Sequence, residues 1–371
     1  MTLTRRNLGK QFALAAAGLT IGGEAAYAQR RLLKGVDLSK LVLLNGNENP
    51  EGPPQVSIDA MSRILSQTGR YHDEVMERLT DAIAETESVQ SNQVMLGSGS
   101  SENLHCAVCA FTSPTRPLIT ALPSYELPID LAHAYGNAVV RIPHTEDWSA
   151  DVRKMVAAAS DAKGGLIYIV NPNNPTSSIT KKADIAWLID NLPPDTVALI
   201  DEAYIHFSTD PQLASALPYV RAGKNVVVTR TFSKIFGMAG LRVGYSAASP
   251  ELTAKLTAFR NGSISVTGAY AAIAALGSPA LIAERRERFG KVRSDFCGWL
   301  DANNYRFIRP HANFVMIDVD RDVKQLGPAF LEKGVAVGRP FPPMDKWLRV
   351  TVGTQGEMAK FEEAFVSVMK A

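Results

Sequence analysis

The 371-residue sequence contains three cysteines and six histidines, and none of the histidines has metal-ligand spacing. Three cysteines do not suit the disulfide framework of a small secreted protein. Cys106 and Cys109 form a C-x-x-C pair, but neither a second pair nor a histidine cluster accompanies them. We therefore interpret both as packed thiols of a predicted helix, and Cys297 as a core residue of another. The sequence predicts no metal site.

The charges are nearly balanced, with 39 basic and 37 acidic residues, and neither sign forms a tract. Without a basic patch or an internal repeat, the sequence gives no indication of a nucleic-acid partner. After the first thirty residues, no apolar run approaches the ~20 residues that cross a membrane. With 46% hydrophobic and 20% charged residues, the composition predicts an ordinary globular protein, and the length predicts two domains.

The first 28 residues differ from the rest of the chain. Arg5 and Arg6 precede an apolar stretch over residues 12–23, and A-Y-A follows at residues 26–28. This order predicts a twin-arginine signal peptide, residues 1–28, and therefore a periplasmic or otherwise exported protein that no longer contacts the membrane after cleavage. The alternative is an amphipathic starting helix on a cytoplasmic protein, although the apolar stretch lacks a polar face.

Apolar, strand-like runs alternate with helical stretches through the middle of the chain. The runs are 93–96, 117–121, 138–142, 166–170, 197–201, 226–230 and 243–247. This alternation predicts an α/β fold, with a mostly parallel seven-stranded sheet and helices on both of its faces. We assign residues 29–55 to an N-terminal arm, 56–280 to this large domain, and 281–371 to a smaller C-terminal α/β domain.

The stretch from Thr231 to Arg242 places Lys234 among hydroxyl groups, glycines and an arginine. The lysine amine suits a Schiff base with the aldehyde of pyridoxal 5′-phosphate, while Thr231, Ser233 and Arg242 suit the phosphate of that cofactor. Taken alone, a Ser-Lys pair is more often part of a surface turn. Other motifs at the ends of predicted strands favour the cofactor.

Asp201 ends the apolar run 197–201, at the edge where open α/β sheets bind ligands. A carboxylate there can pair with the protonated pyridine nitrogen of the cofactor, and Tyr204 can reach the phenolic O3′. A capping aspartate with a core tyrosine is the structural alternative. Tyr125 follows another predicted strand and could stack on a planar ring, although a lone tyrosine is usually a core residue.

Two turns complete the predicted site. Asn174 belongs to the N-P-N-N-P-T turn of residues 171–176 and presents an amide that suits the same O3′. The G-S-G-S-S-E turn of residues 97–102 lies between a predicted strand and a predicted helix. Backbone N–H groups and the helix dipole favour an anion there, so Ser100 and Ser101 are candidate phosphate ligands.

Together these motifs resemble the fold-type I pyridoxal-phosphate aminotransferases, most closely the histidinol-phosphate aminotransferase group. Further stretches carry the resemblance in family order: residues 45–50 (N-G-N-E-N-P), 69–73 (G-R-Y-H-D) and 348–354 (L-R-V-T-V-G-T). The resemblance implies that Arg349 binds the substrate carboxylate or phosphate, with Asn47 and Arg339 as further substrate contacts. It also implies a homodimer in which Tyr71 crosses to the neighbouring subunit's cofactor phosphate.

The sequence departs from the family pattern at three positions. Glu51 stands where an aromatic residue is usual, and Ser177 replaces the glycine that usually follows N-P-N-N-P-T. Gly338 is an extra residue that changes the expected direction of Arg339. If Glu51 faces the site, it repels a phosphorylated or acidic substrate. We therefore expect a free α-amino carboxylate to be preferred over histidinol phosphate.

The resemblance implies an aminotransferase that moves an amino group from an amino donor to a 2-oxo acid acceptor through Lys234. A decarboxylase of the threonine-phosphate decarboxylase type and a pyridoxal-phosphate oxidase are alternatives, because the Cα bond that breaks depends on geometry that a sequence does not give. A cofactor-binding protein without catalysis is more remote, since the lysine and its partner groups are all present.

Overall fold

The computed structural model describes residues 35–370, and the predicted signal peptide lies outside this range. The helices, apart from short 3₁₀ turns, are α1 Gln55–Ile64, α2 Asp73–Glu87, α3 Ser100–Phe111, α4 Leu127–Ala134, α5 Val152–Asp161, α6 Lys182–Asp190, α7 Leu217–Arg221, α8 Pro250–Thr257, α9 Val266–Leu276, α10 Leu281–Ala302, α11 Val323–Glu332 and α12 Gln355–Lys370. The strands are β1 Val42–Leu43, β2 Val94–Ser98, β3 Leu118–Leu122, β4 Val139–Pro143, β5 Gly165–Val170, β6 Thr196–Asp201, β7 Val226–Thr231, β8 Val243–Ala247, β9 Phe307–Ile308, β10 Phe314–Asp318, β11 Val335–Ala336 and β12 Trp347–Thr351.

Seven strands form the large sheet in the order β2-β8-β7-β6-β5-β3-β4. Neighbouring strands are parallel except at β8, which runs antiparallel to both β2 and β7. Every residue of β5, β6 and β7 is buried, because helices cover both faces of a parallel sheet and its central strands become almost continuously apolar. The predicted mostly parallel seven-stranded α/β sheet is confirmed.

Side chains of the central strands alternate between the two faces of the sheet. Tyr168 of β5 packs in the core formed with α3, α4 and α8, whereas Ile167 and Ile169 pack in the core formed with α5, α6 and α7. On β6, Leu199 lies on the same face as Tyr168. Asp201 follows two residues later and therefore also lies on that face, at the carboxyl end of its strand.

The C-terminal part forms a separate antiparallel sheet in the order β12-β10-β9, in which Met316 is the register partner of Arg349. The arm joins this part through β1, which pairs in parallel with β11. Helix α10 begins at Leu281, where the C-terminal domain is predicted to start, although the domain boundaries stay predictions.

In residues 35–370 no single helix has both the length and the mean hydropathy needed to cross a membrane. The bent pair α9 and α10, at 86°, meets both requirements jointly.

The cysteines of helix α3 contribute to packing. Cys106 is fully buried in the core between this helix and the sheet, and burial raises the pKa of its thiol to about 12. Cys109 is half-buried, with Sγ 3.4 Å from Nε2 of His105. Within the described range, no group of three or more histidine, cysteine, aspartate or glutamate side chains could hold a metal ion.

Candidate active site

A cavity of about 490 Å³ lies at the carboxyl ends of β5, β6 and β7, and residues of the arm and of the C-terminal part also line it. Its size suits a small molecule. All predicted site residues except Tyr71 line it: Asn47, Ser100, Ser101, Tyr125, Asn174, Asp201, Tyr204, Thr231, Ser233, Lys234, Arg242, Arg339 and Arg349. The structure brings these residues together, and their individual roles stay predictions.

Lys234 lies in the turn that follows β7. Its Nζ donates a hydrogen bond to the carbonyl oxygen of Asn47 at 3.1 Å and lies 5.5 Å from the ring centre of Tyr204. Desolvation by the surrounding protein, followed by the nearby charge of Arg349, lowers the pKa of Lys234 to about 8. At pH 7 roughly a tenth of the lysine is then uncharged, which is far more than for an ordinary lysine. The amine is therefore suited to attack an aldehyde.

Asp201 is 3% exposed and accepts three hydrogen bonds. Oδ1 accepts from Oγ1 of Thr229 at 3.1 Å and from the backbone N–H of Ala203 at 3.2 Å, and Oδ2 accepts from the hydroxyl of Tyr168 at 3.4 Å. Burial raises the pKa of Asp201 to about 6 despite these donors. At neutral pH the group is still mostly a carboxylate, held at the cavity and able to pair with a cationic ring nitrogen.

Tyr168 and Thr229 were not among the predicted site residues. Side chains of a strand alternate between the two faces of a sheet, so the sequence itself indicates which face of the sheet carries Tyr168. Contact with Asp201 also depends on strand register, in which Val170 is opposite Asp201 and Asp201 is opposite Thr229. Neighbouring positions of different strands cannot be read from a single sequence, so the two hydroxyl donors were missed.

The two tyrosines of the cavity keep their hydroxyl protons at neutral pH. Burial raises the pKa of Tyr125 to about 12 and also raises the pKa of Tyr204. The hydroxyl of Tyr204 accepts a hydrogen bond from Nδ2 of Asn47 at 3.3 Å. Oδ1 of Asn174 accepts one from Arg349 at 2.8 Å, which leaves the two N–H donors of that amide for a ligand.

The glycine-rich turn is shorter than the sequence indicated. Gly97 and Ser98 complete strand β2, because both pair with strand β8, and only Gly99 remains as the turn. Gly99 has φ +71°, and a Cβ there would collide with the guanidinium of Arg242. Helix α3 therefore begins at Ser100, inside the predicted turn, and presents its free N–H groups to the cavity.

Hydroxyl groups and a guanidinium meet at this helix N-terminus. Oγ1 of Thr231 donates to Oγ of Ser233 at 2.9 Å, and Nη1 of Arg242 donates to the same oxygen at 3.3 Å. Nη2 of Arg242 reaches the carbonyl oxygen of Ser98 at 3.4 Å. Free N–H groups, hydroxyls and a guanidinium are the donors that bind phosphate, so this corner is a fitting phosphate cradle.

Arg349 is a buried cation on the C-terminal side of the cavity, with 7% of its surface exposed. Nη1 donates to Oδ1 of Asn174 and Nη2 to the carbonyl oxygen of Asn45, both at 2.8 Å. Its Nε has no hydrogen-bond partner, and no carboxylate of residues 35–370 forms an ion pair with it. Burial lowers the pKa of Arg349 to about 10, so the group stays charged at neutral pH.

Arg339 lines the same cavity but forms an ion pair with Glu126. The extra glycine does not turn Arg339 away from the site. Gly338 instead packs against the backbone of Arg349, where its N–H donates to the carbonyl oxygen at 2.8 Å. A Cβ on Gly338 would lie 2.5 Å from that oxygen, so this close approach requires glycine.

Glu51 does not line the cavity, and the repulsion expected from it does not operate there. Its carboxylate contacts Arg288 and lies 3.3 Å from Nε of Arg285, which hold it against helix α10. Tyr71 also lies outside the cavity of its own chain, and it is 87% exposed. Its predicted contact across a subunit boundary stays a prediction.

Ser177 occupies a backbone conformation that favours glycine, with φ +59°. Its Oγ accepts hydrogen bonds from the backbone N–H groups of His311 at 3.2 Å and Ala312 at 2.9 Å. The serine therefore replaces the usual glycine at a position where its hydroxyl links the asparagine-proline turn to the C-terminal part.

Residues 39–365 match the family described as aminotransferase class I and II. The chain belongs to this family. It is therefore an aminotransferase that uses pyridoxal 5′-phosphate, as the sequence predicted. Nothing in the comparisons with known proteins favours the decarboxylase, the oxidase or the non-catalytic alternative.

The aminotransferase is similar to several histidinol-phosphate aminotransferases. That of Moorella thermoacetica is 31% identical over 333 residues, which cover 89% of this chain and 86% of the relative. That of Symbiobacterium thermophilum is 33% identical over 340 residues, or 90% and 91% of the two chains. A solved structure from Erwinia carotovora atroseptica, assigned to the same group, has a TM-score of 0.86 at 29% identity and covers 90% of this chain and 98% of its own.

The cavity residues of this aminotransferase fit the cofactor. Gly99 has a φ of +71°, which favours glycine, and without a Cβ it lets the guanidinium of Arg242 approach the N-terminus of helix α3. This is the corner suited to the phosphate. Asp201 offers a buried carboxylate to the ring nitrogen, and Lys234 offers an amine of lowered pKa to the aldehyde. Tyr204 and Asn174 retain donors for the phenolic oxygen.

Proposed function

We propose that this aminotransferase takes its amino group from a free α-amino acid whose carboxylate binds Arg349, and passes it to a 2-oxo acid. The observation that carries the proposal is that Arg349 is buried and lacks a carboxylate partner within residues 35–370. A buried guanidinium is costly without an anion. A substrate carboxylate offers two oxygens to its fork of N–H donors.

The ion pair of Arg339, the second arginine considered for substrate binding, favours a substrate carboxylate over a substrate phosphate. Arg339 is already neutralised by Glu126, so a dianionic phosphate would meet one available guanidinium and a nearby carboxylate. A carboxylate carries less charge and needs only Arg349. The preference for a free amino acid therefore rests on the Arg339–Glu126 pair rather than on Glu51.

Histidinol phosphate is the second candidate donor. It is supported by the names of the relatives, which are 31% and 33% identical to this chain. Arg349 suits a phosphate as well as a carboxylate, and separation of Arg339 from Glu126 would supply a second guanidinium. Both donors require the same Lys234 chemistry.

Pyridoxal 5′-phosphate, when bound, supplies an aldehyde that joins to amines and a ring that accepts the electron pair released at the substrate Cα. Lys234 would hold the aldehyde, and its Nζ, when free, would take the proton from the substrate Cα. Asp201 would pair with the protonated ring nitrogen. Arg349 fixes the substrate carboxylate and so orients Cα towards Lys234.

A screen of amino donors on the purified holo-protein tests this proposal. Histidinol phosphate is compared with aromatic, basic and aliphatic amino acids and with glutamate, and keto product, carbon dioxide and peroxide are measured together. We expect keto product and a higher kcat/KM for a free amino acid than for histidinol phosphate. A higher kcat/KM for histidinol phosphate would overturn the substrate proposal, and carbon dioxide or peroxide in place of keto product would overturn the reaction type.

We also propose that the enzyme is a homodimer in which Tyr71 of the partner subunit binds the cofactor phosphate. The exposure of Tyr71 and its position outside its own cavity support this. Lys234→Ala and Tyr71→Phe chains are co-expressed with different tags, and the mixed dimer is purified. One of its two sites then has both native residues, so activity should return to about half of the wild-type value. Activity no greater than the sum of the two parent variants would contradict the shared site.

We further propose that the protein is exported by the twin-arginine route. Arg5, Arg6 and the A-Y-A sequence at residues 26–28 support this, and these residues lie outside the described range. A reporter fused to residues 1–35 should reach the periplasm, and changing Arg5 and Arg6 to lysine should keep it in the cytoplasm. Periplasmic reporter activity that survives the double change would contradict the proposal.

A further inference from the structure

The wall of the cavity next to Arg339 carries two carboxylates from one helix end. Glu126 is the N-cap of helix α4, and Asp130 lies one turn further on. The backbone N–H of Asp130 donates to the carbonyl oxygen of Glu126 at 2.9 Å. Residues four apart lie on the same helix face, and both line the cavity.

These two carboxylates differ in their partners. Glu126 is neutralised by Arg339. No hydrogen bond or ion pair joins the Asp130 side chain to any residue between 35 and 370, although the residue is half-buried. Burial, followed by the neighbouring Glu126, raises the pKa of Asp130 above its ordinary value, and the charges of His133, Arg339 and Arg141 offset only part of this rise. A partly desolvated carboxylate that has no ion pair is stabilised when a cation binds it directly.

The charges of the cavity leave an acidic surplus where the substrate binds. Asp201, Lys234 and Arg242 belong to the part assigned to the cofactor. The remaining charged lining consists of two guanidiniums, on Arg339 and Arg349, and three carboxylates, on Glu48, Glu126 and Asp130. Once a substrate carboxylate binds Arg349, any further charge that the substrate brings is favourable only if it is positive.

We propose that Asp130 is a specificity residue that selects amino donors with a positively charged side chain, whose distal cation binds its carboxylate. The inference rests on the proposed function, because Arg349 must first anchor the substrate carboxylate. Within residues 35–370, Nε of buried Arg349 has no hydrogen-bond partner and the carboxylate of half-buried Asp130 has no ion pair, and both residues line the same cavity. Their opposite charges match the two ends of a basic amino acid.

L-Lysine and L-norleucine test this assignment, because norleucine keeps the aliphatic side chain and lacks the terminal ammonium. We expect wild-type holoenzyme to favour lysine by about ten-fold or more in kcat/KM, since a charged hydrogen bond contributes about that much. Asp130→Asn should remove most of this preference, mainly through KM for lysine, and leave norleucine nearly unchanged. Asp161→Asn, at an exposed aspartate ending helix α5, is the matched control and should keep the preference.

A binding measurement separates selection from turnover. On Lys234→Ala protein loaded with the cofactor, calorimetry should give a lower Kd for lysine than for norleucine, and adding Asp130→Asn should abolish the difference. Equal use of lysine and norleucine by the wild type, or an unchanged preference in Asp130→Asn, would overturn this inference while leaving the proposed function intact. Failure of all α-amino acids as donors would instead overturn the proposed function.

Discussion

Glu51 and Arg288 form a two-point ion pair, with Nε–Oε1 at 2.7 Å and Nη2–Oε2 at 2.9 Å. Arg285 lies beside this pair and donates through Nη1 to the carbonyl oxygen of Ile235 at 2.9 Å. Ile235 directly follows Lys234. The glutamate that replaces the usual aromatic residue therefore joins the arm to helix α10 and supports the lysine turn, and it does not line the cavity.

Removing the charge of Glu51 should lower stability without changing donor preference. In Glu51→Gln, two arginines lose an anion and Arg285 is only 3% exposed, so the free energy of unfolding should fall by about 1–2 kcal/mol. Urea denaturation measures this, and Glu146→Gln, at an exposed glutamate, is the control with little expected change. A gain in activity towards histidinol phosphate in Glu51→Gln would contradict this assignment.

Arg349 should contribute a charge-assisted contact to the substrate. Loss of such a contact costs about 1.5–3 kcal/mol, so Arg349→Ala should lower kcat/KM for the preferred amino acid by roughly one to two powers of ten. Arg349→Lys should recover only part of the loss, because an ammonium lacks the planar fork of donors. Arg63→Ala, at an exposed arginine of helix α1, serves as control. Full activity of Arg349→Ala would exclude this anchor.

Glu126 should exclude phosphorylated donors by occupying Arg339. Glu126→Gln removes one negative charge and releases the guanidinium, so kcat/KM for histidinol phosphate should rise by about ten-fold. The ratio of this value to kcat/KM for a neutral amino acid is the measurement, because it cancels general effects on folding. Arg339→Ala combined with Glu126→Gln should lose the gain. If the Glu126→Gln variant left this ratio of kcat/KM values unchanged, the Arg339–Glu126 ion pair would not restrict the choice of substrate.

The lowered pKa of Lys234 gives a pH dependence of defined sign. The uncharged amine attacks the aldehyde, and with a pKa of about 8 its fraction rises with pH and levels off above roughly pH 9. Stopped-flow capture of the cofactor by apo-protein should follow this curve, whereas the rate with N-acetyl-lysine amide, an ordinary amine, should keep rising to about pH 10. An apo-protein rate that also keeps rising to about pH 10 would indicate an unshifted lysine.

The sheet could be predicted because its central strands are buried on both faces. Their continuous apolar runs, such as the one before Asp201, distinguish them from the amphipathic helices between them. The position of the site followed from the same reasoning, since residues at the carboxyl ends of parallel strands meet at one sheet edge. Strand β8 runs antiparallel within this sheet, and an apolar run by itself does not carry strand direction.

The contacts that the sequence did not reveal depend on register and on side-chain partners. Tyr168 and Thr229 reach Asp201 only through the alignment of three strands. The sequence does not reveal the arginine partners of Glu51, because they lie more than two hundred positions later in the chain. Asp130 belongs to no sequence motif, and only the fold places its carboxylate in the cavity beside Glu126 and Arg339.

Borohydride reduction of the holo-protein followed by peptide mapping tests the central claim most directly. Reduction fixes the cofactor to the lysine that holds its aldehyde, and we expect the adduct on the peptide containing Lys234. Lys234→Ala should remain folded, bind the cofactor without forming a reducible linkage, and show no turnover. A reduced adduct on another lysine of the wild type, or turnover by Lys234→Ala, would contradict the assignment.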